Sequence, residues 1–244
     1  LKKPRHSEAG KSNPGNRADD IPAGKRLLSY FMEVPLETVS SDIHPELHVS
    51  LQQGRLQLST EKAIYSFSDL YTNFRRAFSS LVLDTRPVEE VLLLGLGLGS
   101  IPEMLEKKYG KRYHYTVVEI DEVVIQLAQR YTLSRLASTF DIYCADAIPF
   151  VTACPDRRYP FICVDIFLED LIPESVTQPG FMAHLARILA EKGLLLFNCY
   201  SMGAEDRKQA TRIFEELFLP VFPDATYLDT GTNWILVSDR EWLR

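Results

Sequence analysis

The 244-residue chain has no run of eighteen or more apolar residues, so the sequence offers no membrane-spanning helix. No basic start leads into an apolar segment either, so no signal peptide is read and the expected compartment is the cytoplasm. Cysteine is scarce. Cys144, Cys154, Cys163 and Cys199 show no C-x-x-C spacing and sit mostly in strand-like apolar runs, as small buried hydrophobes do. The five histidines are spread along the chain, and no metal site is expected. No internal repeat is visible. What remains is a composition of 45% apolar and 25% charged residues, ordinary for a globular protein.

Charge is unevenly placed. Residues 1–26 carry a net +4 and the remainder −10, giving −6 in all. An acidic body repels phosphate backbones, so nucleic acid is not an expected partner, whereas a small cationic molecule suits it. Residues 1–26 are polar and rich in Pro, Gly and Asn, with almost no apolar pattern, and read as a flexible tail.

From Leu27 to Thr60 the pattern is strand-like, and "ELHVSLQQGRLQLS" alternates around Gln52-Gln53-Gly54 as a β-hairpin does. "SDLYTNFRRAFSSLVL" reads as a helix with Ser68 as N-cap and Leu70, Phe74, Ala77, Phe78 and Leu81 on one face. After Pro87 strands and helices alternate. Strands are expected at 90–95, 115–120, 140–146, 161–167 and 193–200, and helices at 100–109, 121–131, 178–191 and 204–218. "ATYLDTGTNWILVS" closes the chain as two strands around a glycine turn. Continuous apolar strands between helices predict an α/β fold, a mostly parallel sheet covered on both faces, ending in an antiparallel hairpin. The chain divides into a tail (1–26), a small N-terminal β module with its linking helix (27–83) and a Rossmann-like domain (84–244).

The first strand of that domain runs into Gly95-Leu96-Gly97-Leu98-Gly99-Ser100. Glycines there let the chain turn sharply and let a ligand approach the backbone. Glu119 ends the next strand, where a carboxylate accepts ribose hydroxyls, and Asp146 ends the one after, where it can meet an adenine amino group. These residues describe an adenosine pocket. Ser100 stands where the dinucleotide fingerprint wants glycine. With the apolar Leu96 and Leu98 and the final hairpin, that favours S-adenosylmethionine (AdoMet) over NAD.

"VLLLGLGLGS", "VVEIDEVVIQLAQRY", "ADAIPF" and "YPFICVDIF" occur in the order and spacing of successive spermidine synthase motifs, and "GRLQLSTEKAIY" resembles that family's N-terminal hairpin. The resemblance covers roughly residues 46–200. It implies an AdoMet-dependent methyltransferase fold, a donor of AdoMet or its decarboxylated form, no metal, a small-molecule acceptor and a homodimer assembled through the N-terminal modules. An exposed edge strand of the hairpin is the expected pairing surface. By position it assigns Gln57, Gly95, Gly97, Gly99, Glu119 and Asp146 to the donor, Asp165 as base and Tyr65 as the active-site tyrosine.

The chain also departs from the family, whose glycine loop carries an aspartate where Leu98 stands here. The family's D-x-x-D becomes Asp165 followed by Leu168, with Glu169 and Asp170 out of register. No acid follows Tyr65 until Asp69. A buried ammonium needs a carboxylate partner. These changes therefore point to a spermidine-synthase-like transferase with an altered donor or acceptor, methyl transfer from AdoMet being the simplest case. Glu169 and Asp170 are the candidate acceptor contacts. True aminopropyl transfer and nucleoside binding without catalysis are the alternatives.

Overall fold

The computed structural model describes residues 5–6, 18–84 and 88–244. In chain order, β1 (Arg5–His6) and helix α1 (Ala23–Leu28) precede a four-stranded antiparallel sheet. Its strands are β2 (Val34–Val39), β3 (Leu47–Gln52), β4 (Arg55–Ser59) and β5 (Ile64–Ser66), in spatial order β2-β3-β4-β5. The β3–β4 hairpin pairs Leu51 with Leu56 and turns through Gln53 and Gly54, both at positive φ, a primed turn that suits the strand twist. The hairpin strands are the inner pair of this sheet and β2 and β5 are its edges, which corrects the expected pairing surface.

Helix α2 (Thr72–Ser80) leads to the large sheet, built from β6 (Glu90–Leu94), α3 (Ser100–Tyr109), β7 (His114–Glu119), α4 (Glu122–Tyr131), β8 (Thr139–Cys144), α5 (Ala147–Ala153), β9 (Tyr159–Val164), α6 (Pro179–Ile188), β10 (Leu189–Tyr200), α7 (Ala204–Arg212), β11 (Thr226–Asp229) and β12 (Asn233–Val237). Its order is β1-β8-β7-β6-β9-β10-β12-β11. The strands from β8 to β10 are parallel, β12 runs antiparallel to β10, and β1 adds antiparallel to β8. This is the expected α/β architecture.

Burial explains the continuous apolar strands. In β6, Val91 and Leu93 enter the core under α2 and α3, while Leu92 and Leu94 enter the core under α5 and α6, all of them fully buried. A third cluster joins the two sheets: Leu47, Val49, Leu51, Leu56 and Leu58 of the hairpin pack with Leu98, Val124, Leu127 and Tyr131. Leu98 and α4 complete the core of the small module.

Several local expectations change. Of the proposed tail, residues 1–4 and 7–17 lie outside the described residues. Ala18 and Ile21 are buried in the third cluster, and Leu27 and Leu28 belong to α1 rather than to a strand. Ser68 does not cap α2. It lies in a 3₁₀ turn at positive φ, and its hydroxyl donates to the Leu56 carbonyl. Leu70 is half-buried, whereas Phe74, Ala77, Phe78 and Leu81 form the buried face that the spacing predicts. Helix α7 continues through a π-helical turn, Ile213–Phe218. No helix among the described residues is long and apolar enough to cross a membrane.

Candidate active site

The carboxyl ends of β6, β7, β8 and β9 open into a cavity of about 770 Å³, closed on its other side by His44, Tyr65 and Tyr71 and by the loop after β9. It lies where the strand order reverses about β6, the place where open α/β sheets take ligands.

The glycine loop is shaped by its neighbours. Gly95 has φ +87°, and a Cβ there would fall on the carbonyl oxygen of Asp165. Gly97 has φ +52°, and a Cβ would come 2.9 Å from the Tyr65 carbonyl oxygen. Only glycine lets the loop pass between β9 and the N-terminal module. Gly99 does not line the cavity; it starts α3 and packs against Leu133 and Thr132. Ser100, the residue that broke the dinucleotide pattern, ties the two sheets together. Its hydroxyl lies 2.6 Å from that of Ser66 and accepts the Phe67 N–H at 3.0 Å.

Glu119 clamps this loop. Its two oxygens accept the N–H groups of Leu96 at 2.9 Å and Asp121 at 3.0 Å, and each keeps a lone pair for a donor such as a ribose hydroxyl. Burial raises its pKa against those hydrogen bonds. Asp146 plays two parts: it caps α5 by accepting the Ile148 N–H at 2.8 Å, and it lines the cavity. Gln57 stands apart from the other donor candidates. Alternation along β4 sends Leu56 and Leu58 to the core and turns Gln57 to the other face. There its amide lies 3.5 Å from Glu33, buried and off the cavity wall.

Asp165 follows the last residue of β9 and lines the same cavity. One of its oxygens accepts from Tyr71 at 3.2 Å and from the Asn198 amide at 2.8 Å, and Asn198 is itself held by Asn233 at 2.9 Å. Burial, opposed by these donors and aided by the nearby Glu119, raises its pKa to about 7. A carboxyl poised there is suited to general-base work near neutrality. Tyr71 and Asn233 carried no sequence signal. Asn198 did, as a polar residue at the end of an apolar strand.

Tyr65 lines the cavity, and its hydroxyl accepts the Glu169 N–H at 2.5 Å. Glu169, at positive φ, and Asp170 both line the cavity, and Glu169 accepts from Thr60 at 2.7 Å. Asp69 instead pairs with Arg55 and is absent from the wall. Leu98 is 2% exposed, in the core shared with α4, so it too stays off the wall. Five carboxylates thus face the cavity, with Lys62 the cation among its lining residues. His44 and His48, four residues apart, make no pair: His44 turns in to Asp121, and His48 lies 3.0 Å from Thr38.

The fold is a Rossmann-like architecture of the kind found in both spermidine synthases and methyltransferases. The chain belongs to the spermine/spermidine synthase domain family, whose domain matches residues 74–233. A polyamine aminopropyltransferase from Vibrio vulnificus is 30% identical over 173 residues, which cover 69% of this chain and 56% of that protein. The chain therefore spans little more than half of that relative's length. The crystal structure of a probable spermidine synthase from Corynebacterium glutamicum aligns with a TM-score of 0.67 at 18% identity, covering 82% of this chain and 78% of that one. Human methyltransferase-like protein 13, in complex with SAH, aligns at 0.52 with 20% identity, covering 63% and 72%.

Proposed function

We propose that this chain moves a group from a sulfonium nucleoside of the AdoMet type to a small amine. The observation that carries the reading is Asp165, a half-buried base poised near neutrality on the same wall as the Glu119-clamped glycine loop. Gly95 and Gly97 admit the donor to the backbone, Glu119 holds its ribose and Asp146 its base. The donor supplies an electrophilic carbon on a positively charged sulfur. Asp165 takes the proton from the incoming ammonium, and the freed nitrogen lone pair forms the new N–C bond as the C–S bond breaks and the neutral thioether nucleoside leaves, while Tyr65 orients the amine. The carboxylates of Glu169 and Asp170 stabilise positive charge at the cavity mouth.

Methyl transfer from AdoMet is the first reading, supported by Leu98. The glycine loop presents no acid to a donor ammonium, and a leucine in the shared core leaves the methionine carboxylate of AdoMet unopposed there. Aminopropyl transfer is the second, supported by Glu169 and Asp170 on the wall and by the bacterial aminopropyltransferase relative. Calorimetric titration with AdoMet and with decarboxylated AdoMet separates them. We expect tighter binding of AdoMet. Tighter binding of the decarboxylated form selects aminopropyl transfer, and binding of neither overturns the nucleoside pocket.

Assembly is part of the same proposal. Leu27 in the last turn of α1 and Tyr30, Phe31 and Met32 between α1 and β2 are exposed, Phe31 by 82%, and a homodimer that buries them would use the N-terminal module as its contact.

A further inference from the structure

His44 is a buried titratable group that the transfer chemistry leaves unused. It is 6% exposed and precedes β3. Its Nδ1 lies 2.9 Å from Asp121 Oδ2, and its Nε2 lies 3.1 Å from the Tyr65 hydroxyl. Asp121, 2% exposed, caps α4 through Oδ1, which accepts the Val123 N–H at 2.8 Å, and Oδ2 also accepts the Ser41 hydroxyl. Ser41 Oγ accepts the N–H groups of Ile43 and His44 at 3.2 and 2.9 Å, so the loop carrying the imidazole is fixed.

Counting hydrogens and lone pairs gives the consequence. Hydrogen bonds from Ser41, His44 and the α4 backbone outweigh the opposing effect of burial and keep the Asp121 pKa low, so its carboxylate is an acceptor. The proton of a neutral His44 then sits on Nδ1, and Nε2 is an acceptor. The hydrogen within its reach is that of Tyr65. With one lone pair of Tyr65 taken by the Glu169 N–H, the other is left for the cavity. If His44 gains a proton, Nε2–H donates to Tyr65, and the tyrosine's own hydrogen must point elsewhere.

We propose that His44 is a positioning residue that sets the polarity of the Tyr65 hydroxyl. When His44 is neutral, Tyr65 offers a lone pair to an N–H of the acceptor; when His44 is protonated, Tyr65 offers a hydrogen, which an ammonium cannot use. This rests on the group-transfer reading, in which the acceptor is an amine. The charged groups around the pair are Glu119 at the end of β7, Asp121 at the start of α4, and Glu169 and Asp170 from the loop after β9. Burial, with those last carboxylates and Glu119, pushes Tyr65 up to about 12. The phenol therefore stays protonated near neutrality, and only its direction changes.

The test uses the full chain with ¹⁵N-labelled histidine. Long-range ¹H–¹⁵N spectra at pH 8 are compared for wild type and Tyr65→Phe, with His44→Gln to assign the signals. We expect the Nδ1–H form of His44 and a moved Nε2 resonance in Tyr65→Phe. An Nε2–H form, or an Nε2 signal indifferent to Tyr65→Phe, overturns the proposal. A second arm titrates putrescine, with 5′-methylthioadenosine present, at pH 8 and at a pH below the His44 midpoint that the spectra give. The wild-type affinity should fall about tenfold more than that of His44→Gln, whose remaining fall belongs to Asp165. Equal falls overturn the proposal. Failure of both 5′-methylthioadenosine and S-adenosylhomocysteine to bind defeats the group-transfer reading instead, while the spectra still decide which way the Tyr65 hydrogen points.

Discussion

Asp165 shows how a residue's surroundings rather than its identity set its chemistry. Its sequence context, a strand ending in a carboxylate, marks it as a candidate and nothing more. The shift to about 7 comes from burial, which Tyr71 and Asn198 only partly offset. The folded-state pKa is thus above the unfolded value, so the protonated acid favours the fold. That stability is present below about pH 4 and is lost as pH rises through about 7. Asp165→Asn should therefore be more stable than wild type at pH 8, by about 1–3 kcal/mol because the carboxyl is partly open to the cavity, and little different at pH 4. Urea denaturation at the two pH values measures this, and a variant less stable at pH 8 would show that the carboxylate is not under strain. The same substitution should lower transfer about 10²–10⁴-fold. In wild type the rate should climb with pH and level off above about 7, as the base ionises.

At the scale of elements, the glycine loop was legible because a strand, three glycines and a helix follow one another in the chain. The reason each glycine is needed was not legible. Gly95 faces the Asp165 carbonyl and Gly97 faces that of Tyr65, both brought there from distant segments. Ser100 likewise reads as a defect in a dinucleotide pattern until Ser66 and Phe67 are seen on its hydroxyl. Ser100→Ala leaves the Phe67 N–H without its acceptor and should destabilise the protein by about 1–3 kcal/mol in a urea melt. A change within error would mean that water or a shifted β5 replaces the bond. Strand alternation put Leu56 and Leu58 in the core, yet which face of β4 meets the ligand depends on where α4 lies. The resemblance alone assigns Gln57 to the donor, and in the fold its amide lies beside Glu33.

For the whole molecule, the third apolar cluster matters most. Leu98 and α4 complete the core of the small sheet, so the module and the Rossmann-like domain should unfold in one transition. The exposed Leu27, Tyr30, Phe31 and Met32 lie on that module. Light scattering should give a dimer for wild type and a monomer for Phe31→Glu, with the near-UV spectrum unchanged; a wild-type monomer removes the assembly proposal. The sequence by itself determined the α/β alternation, the hairpin, the glycine loop and the carboxylates at the ends of three strands. Those features are periodic or adjacent along the chain, and local sterics and burial write them there. The tertiary structure alone decided that Tyr71 and Asn198 hold Asp165, that Asp121 and His44 stand behind Tyr65, and that Leu98 turns into the core. Each of these joins residues far apart in sequence: the pairing of β9 with β10 and the seat of α2 bring Asn198 and Tyr71 to Asp165, and the packing of α4 and the β9 loop against the N-terminal sheet brings the others together.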